Sequence, residues 1–183
     1  SMHTLLAHRA QPFVYAGYTI FVAEVPSTLN EALFLDFMLD RADTAKQRAV
    51  LLQHAVDSIA STFYTQVMFA DFELQAHRLV EQDQPITAEV LSGIYSRLLH
   101  EYYGDVLDEE SLSSMTWARI PHFFSTPYYV YQYATCFAST ARLMQGLRAG
   151  DAATRRDAVD RYLSLLRAGG SDYPMALLAR AGV

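Results

Sequence analysis

Apolar residues recur along most of the chain with the spacing of helices. Residues 44–82 contain the longest such run, in which apolar positions return at a period near 3.6. The positions that set this period are Val50, Leu51, Ala55 and Ile59. The run stops before Pro85, since proline disfavours a helical conformation in the residue that precedes it. A second helix is predicted from Thr87, a good N-cap residue, to Gly104, a typical C-terminal residue.

The C-terminal part of the chain carries two further helix patterns. Residues 151–170 are amphipathic, with Asp151 as a candidate N-cap and a glycine pair at the end, and residues 173–183 predict a final short helix. The acidic stretch 105–115 predicts a loop or a short cap. Alternation of the strand type never extends beyond a few residues. We therefore predict an all-α fold, a multi-helix bundle that forms a single domain over residues 1–183.

Composition and charge narrow the choice of partners. The 183 residues carry a formal net charge of −6, and the cationic side chains are scattered, so we expect no nucleic-acid partner. The most apolar run, residues 13–23, is about half of the roughly 20 residues that a membrane span needs, so we expect no membrane partner. The single cysteine, Cys136, excludes an internal disulfide, predicts a packed thiol and favours a cytoplasmic location.

Glu24 lies in the otherwise apolar stretch 21–42, two residues before Pro26. On a helix it shares a polar face with Ser27, Thr28 and Glu31. Because proline removes one helical hydrogen bond, the helix either starts or kinks at Pro26. Two interpretations of Glu24 remain open: a carboxylate that caps the first turn, or a metal ligand or general base. Periodicity does not decide between them.

A second candidate site lies in residues 118–140. Thr126 followed by Pro127 predicts a helix N-terminus, with His122 in the loop before it. One face of that predicted helix carries Tyr128, Tyr131, Gln132 and Thr135. Such a row of donors could stabilise an oxyanion, or it could be an aromatic seam with ordinary hydrogen-bond partners. The other histidines are predicted to be structural or on the surface: His3, His8, His54, His77 and His100.

Two long stretches point to a family. They are "SMHTLLAHRAQPFVYAGYTIFVAEVPSTLNEALF" (residues 1–34) and "RIPHFFSTPYYVYQYATCFAS" (residues 119–139), with "FYTQVMFADFELQAH" (residues 63–77) between them. In order and spacing they resemble the C-terminal catalytic region of oligoendopeptidase F, one of the thimet-oligopeptidase-like zinc metallopeptidases. The resemblance covers nearly the whole chain. It implies that the helical bundle corresponds to the C-terminal half of a zincin-like catalytic domain.

The resemblance also implies roles for particular residues. The family binds zinc through the two histidines of an H-E-x-x-H motif, whose glutamate is the general base, and through a later glutamate that matches Glu24. His122 and Tyr131 match residues that bind the scissile carbonyl and stabilise the tetrahedral intermediate. Tyr128 matches a tyrosine that positions the substrate, although the loop here lacks the glycine pair of the thimet branch. The implied reaction is hydrolysis of internal bonds in short peptides by zinc-activated water.

The chain departs from the family in one decisive respect, because no H-E-x-x-H occurs in its 183 residues. By the family pattern the motif would end one residue before Ser1, and residues 1–8 have the pattern of a mid-helix segment without a cap. We therefore expect a truncated enzyme, inactive as given, with its zinc absent or incomplete. The alternative is a non-catalytic helical interaction module. Such a module would form a homodimer through the surface that truncation exposes.

Overall fold

The computed structural model describes residues 1–106 and 113–183, and most of the acidic stretch 105–115 lies outside the described residues. No strand occurs in the described residues, which confirms the all-α prediction. Their ten α-helices are α1 (Met2–Ala10), α2 (Phe13–Ala16), α3 (Ile20–Asp40), α4 (Ala45–Ser58), α5 (Thr65–Glu81), α6 (Ala88–Tyr103), α7 (His122–Ser125), α8 (Tyr131–Leu147), α9 (Ala152–Ala168) and α10 (Pro174–Ala181). A π-helix (Ile59–Tyr64) separates α4 from α5, and 3₁₀ turns cover Gly104–Val106 and Ser113–Arg119. None of these helices is long and apolar enough to span a bilayer.

Local sequence signals set most of the helix ends. The Val90 N–H donates to Thr87 Oγ1 at the start of α6, and the Thr154 N–H donates to Asp151 Oδ1 at the start of α9. Gly104, at φ +60°, follows the last residue of α6. These three ends are as predicted. The start of α1 differs, because Ser1 caps it by accepting the Thr4 N–H at 3.3 Å. The expectation of an uncapped segment at residues 1–8 is therefore wrong.

The chain divides into two compact units, residues 1–56 with 135–183, and residues 57–134. The core of the first unit is built from α3, α8, α9 and α10, with Val25, Leu29 and Leu178 among its most buried residues. The core of the second unit is built from α5, α6 and the segments after them. Its centre is aromatic, and the Phe72 ring lies 5.1 Å from that of Phe123. The single domain over residues 1–183 stays a prediction.

The helix α4 contributes little to the core of the first unit. All of α4 lies within the described residues, and none of its side chains is buried. Large apolar side chains are exposed on it and on the second half of α3, among them Phe34, Phe37, Val50 and Val56. An exposed apolar surface of this kind tends to associate with another protein surface.

His3 is the most buried histidine of the first unit, in line with the expectation that it is structural or on the surface. Its side chain is 4 % exposed and stacks on the Tyr18 ring, with 3.6 Å between the ring centroids. Neither ring nitrogen has a hydrogen-bond partner among the described residues. Burial lowers the pKa of His3 from 6.5 to about 4, because the charged imidazolium would lose its hydration. His3 is therefore neutral in the folded chain at neutral pH.

This burial predicts a pH-dependent stability. Between pH 6.5 and 4, His3 is protonated in the unfolded chain and neutral in the folded chain. The free energy of unfolding therefore falls as the pH falls. The full loss is about 3 kcal/mol, at about 1.4 kcal/mol per pKa unit. Urea unfolding of the wild type and of His3→Phe at several pH values measures it, and we expect a shallower dependence in the variant. His8→Phe, on the exposed side of the same helix, is the control. Equal pH dependence in the wild type and His3→Phe would contradict the prediction.

Candidate functional site

Glu24 lies in the second turn of α3, where its side chain is half-buried. The helix begins at Ile20, and its first turn consists of the apolar residues 20–23. Glu24 therefore does not cap the first turn, and that interpretation is wrong. Pro26 is buried inside α3, so the helix does not start there either. The carboxylate therefore sits in the body of α3, two residues before the internal proline.

Two residues of the first unit, Thr28 and Cys136, lie near Glu24. Thr28 Oγ1 donates to the Glu24 carbonyl at 3.0 Å and lies 2.6 Å from Thr140 Oγ1, so this hydroxyl is committed to the backbone and to α8. Cys136 of α8 is buried and donates its S–H to the Phe21 carbonyl at 3.3 Å. Burial, and then the negative charge of Glu24, raise the pKa of Cys136 to about 11. Cys136 is thus a packed thiol, as predicted, and it lies close enough to Glu24 to feel its charge.

The described residues do not supply a complete metal site. Among residues 1–106 and 113–183 no three histidine, cysteine, aspartate or glutamate side chains lie close enough together to hold an ion. Zinc in a catalytic site is normally held by three protein ligands with a fourth position open to water. Glu24 can supply one oxygen ligand, and the residues described here do not fit zinc by themselves.

His122 is the first residue of the short helix α7, directly after Pro121. Its ring stacks on Tyr129 at 5.0 Å with 19° between the planes, and it meets the edge of Tyr133 at 6.5 Å. The Tyr133 hydroxyl donates to the Tyr129 hydroxyl at 3.5 Å. The imidazole is therefore packed against two phenols, Tyr129 in the segment before α8 and Tyr133 in the first turn of α8. The sequence pattern identified the histidine but not these two partners.

Tyr128 does not belong to a helix, contrary to the prediction that one starts at Thr126. Thr126 instead follows the end of α7, and α8 begins at Tyr131. The reason is the backbone of Tyr128, whose φ of +62° is in the left-handed region and cannot continue a right-handed helix. Its N–H donates to Glu73 Oε1 at 2.8 Å, which holds this conformation. The predicted face that joins Tyr128 to Tyr131 on one helix is therefore wrong.

Tyr131 occupies the first position of α8, and 41 % of its surface is exposed. It lies in the unit of residues 57–134 together with His122 and Tyr128, whereas Glu24 lies in the other unit. Within the second unit Tyr128 contacts His77, with 4.6 Å between the ring centroids, and His122 contacts Tyr129. The roles assigned to Glu24, His122, Tyr128 and Tyr131 stay predictions.

Comparison with known proteins gives a consistent result. The profile of peptidase family M3 matches residues 1–183. Oligopeptidase PepF of Bacillus subtilis is 41 % identical, and the alignment covers 100 % of this chain and 27 % of the relative. Group B oligopeptidase PepB of Streptococcus agalactiae is 37 % identical, with 100 % and 30 % covered. The chain thus spans less than a third of the length of these curated relatives.

Solved structures are similar to the chain over the same extent. The crystal structure of a putative peptidase from Chlamydophila abortus has a TM-score of 0.86 and 40 % identity, covering 100 % of this chain and 30 % of that one. The crystal structure of oligoendopeptidase-F from Enterococcus faecium has a TM-score of 0.79 and 35 % identity, covering 99 % and 34 %. Sequence and structure therefore give the same assignment.

Proposed function

Because the chain belongs to peptidase family M3, we propose that it forms part of the catalytic region of a zinc-dependent oligoendopeptidase that cleaves internal bonds of short peptides. The proposal rests on the match of all 183 residues to relatives that are named oligopeptidases. Zinc in the complete enzyme would supply the activated water. The cytoplasmic location suggested by Cys136 stays a prediction.

The residues of this chain would bind the metal and the substrate carbonyl. Glu24 would be one zinc ligand, as the carboxylate of a half-buried helix position. His122 and Tyr131 would donate hydrogen bonds to the oxygen of the scissile carbonyl. Such donors act most strongly when they are held in place before the reaction, because they then need no reorganisation as charge develops. The stack of His122 on Tyr129 supports this role, since it fixes the plane of the imidazole.

The chain as given is proposed to be inactive, because one carboxylate does not make a zinc site. A second function is favoured by the apolar side chains exposed on α3 and α4: a helical interaction module that self-associates, with a homodimer as the simplest product. The two proposals are compatible, since an isolated catalytic region can also expose surface that associates.

One experiment tests both proposals. The 183-residue chain and the complete polypeptide encoded with it are purified, and cleavage of a quenched fluorescent peptide, bound zinc and light scattering are measured. We expect cleavage and about one zinc per chain only for the complete polypeptide, and a dimer for the 183-residue chain. Cleavage with tightly bound zinc by the 183-residue chain would overturn its inactivity. No cleavage by the zinc-loaded complete polypeptide would overturn the peptidase, and a monomer at high concentration would overturn the interaction module.

A further inference from the structure

Tyr128 has a backbone conformation that a bulky residue avoids. Its φ of +62° places it in the left-handed region, and the one other non-glycine residue among the described residues with positive φ is Asp83. Aspartate adopts this region more readily, because its short polar side chain can bond to nearby backbone. Left-handed tyrosine persists only where its neighbours hold it, and such residues cluster at functional sites.

The helix α5 holds Tyr128 at two points. Glu73 is 5 % exposed, and its Oε1 accepts the Tyr128 N–H at 2.8 Å. His77, one turn further along α5, lies against the Tyr128 ring with 30° between the planes. A third contact comes from α8, where Gln132 Nε2 donates to the Tyr128 carbonyl at 3.0 Å. The N–H, the ring and the carbonyl of this residue are thus all held.

The hydrogen bond from the Tyr128 N–H to Glu73 is unusual because its acceptor is a buried carboxylate. A buried carboxylate is costly unless it accepts hydrogen bonds, and a charge-assisted bond to a backbone N–H is among the stronger ones. Glu73 lies in α5 beside the apolar core residues Phe69 and Phe72. An apolar side chain would suit this position in the core, but it would leave the Tyr128 N–H without its acceptor. The carboxylate therefore stabilises the turn at residues 126–130 by accepting the Tyr128 N–H.

We propose that Glu73 is a positioning residue, which holds Tyr128 in its left-handed conformation and so sets where the Tyr128 ring and the start of α8 at Tyr131 meet a peptide substrate. This assignment rests on the proposed peptidase function. Glu73 itself does not touch the substrate in this scheme. Its effect on the reaction passes through Tyr128.

The structural half of the proposal is tested on the 183-residue chain. Glu73→Met keeps the volume of the side chain and removes the acceptor, while Glu73→Gln keeps an acceptor oxygen. We expect amide hydrogen exchange at Tyr128, measured by NMR, to be at least about tenfold faster in Glu73→Met and near the wild-type rate in Glu73→Gln. Glu81→Met, at an exposed position of α5, is the control. If Glu73→Met fails to fold, Glu73→Asp, which withdraws the oxygen by one methylene, replaces it. Unchanged exchange at Tyr128 in the folded variant would overturn the proposal.

The functional half is tested by a double-mutant cycle in the complete polypeptide. We expect Glu73→Met and Tyr128→Phe each to lower kcat/KM about 10- to 100-fold, as small misplacements of substrate-positioning groups do. The double variant should lose no more than the larger single loss, and Glu73→Gln should stay near the wild type. Additive losses, or no loss in Glu73→Met, would overturn the positioning role of Glu73. A wild-type complete polypeptide that cleaves no peptide would overturn the peptidase itself, and the positioning role with it, whatever the exchange rates show.

Discussion

Tyr131→Phe in the complete polypeptide is expected to lower kcat for peptide cleavage about 100- to 1,000-fold, the range seen when one oxyanion donor is removed. The phenol hydroxyl would donate to the carbonyl oxygen most strongly as negative charge develops on it, so its loss acts on the transition state. KM should change little, because the ground-state carbonyl is a weaker acceptor. Steady-state kinetics with a quenched fluorescent peptide measure both constants.

The control for Tyr131→Phe is Tyr173→Phe, which removes the same hydroxyl from an exposed position before α10. Urea unfolding verifies that both variants are folded, as expected for substitutions at two exposed tyrosines. A loss in kcat below about tenfold for Tyr131→Phe would contradict the assignment of this tyrosine as an oxyanion donor. An equal loss in Tyr173→Phe would point to a general defect of the preparation.

Glu24→Gln is expected to weaken zinc binding by the complete polypeptide at least 100-fold. Changes in residues that only support a ligand already cost 10- to 100-fold, and a neutral amide in place of the carboxylate itself removes a charged ligand. Competition with a chromophoric chelator measures the affinity without any use of activity. Peptide cleavage should fall in parallel at limiting zinc and recover in part when zinc is added in excess.

Glu31→Gln is the matched control, because Glu31 lies on the same helix and is exposed. We expect its zinc affinity to equal that of the wild type. Unchanged affinity in Glu24→Gln would remove Glu24 from the metal site. In the 183-residue chain, Glu24→Gln should lower the pKa of Cys136, because the charge of Glu24 is one cause of the rise of this pKa to about 11.

The helices could be predicted because the signals that set them are local. Thr87 and Asp151 bond to backbone N–H groups only three residues away, and Gly104 adopts its positive φ by itself. Residues close in sequence therefore carry all the information that these helix ends need. Pro26 was harder, because a proline in this pattern is compatible with either a helix start or a kink. The structure excludes the start, since α3 begins six residues before Pro26.

The turn before α8 could not be predicted for the opposite reason. Thr126 and Pro127 have the pattern of a helix start, and nothing nearby contradicts it. The residue that overrides this pattern is Glu73, which is 55 positions earlier in the chain and holds Tyr128. The burial of His3 likewise depends on a contact outside its own helix, the stack with Tyr18, so the local pattern left open whether His3 is structural or on the surface. At both places the outcome depends on a contact that the neighbouring residues in the sequence do not encode.

The exposure of α4 has a consequence for how the chain opens. Most helices in proteins are held by the face they bury, and α4 is the unburied first part of a helical run that continues through the π-helix into α5. Because α4 buries no side chain, we expect its hydrogen bonds to break at a lower free-energy cost than those of the buried helices of the first unit. Its amide protons should therefore exchange with solvent faster than those of α9, whose residues Ala158, Leu165 and Leu166 are buried. A partner that covers the exposed residues of α4 would hold this helix in place. Part of the binding free energy would then be spent on ordering α4.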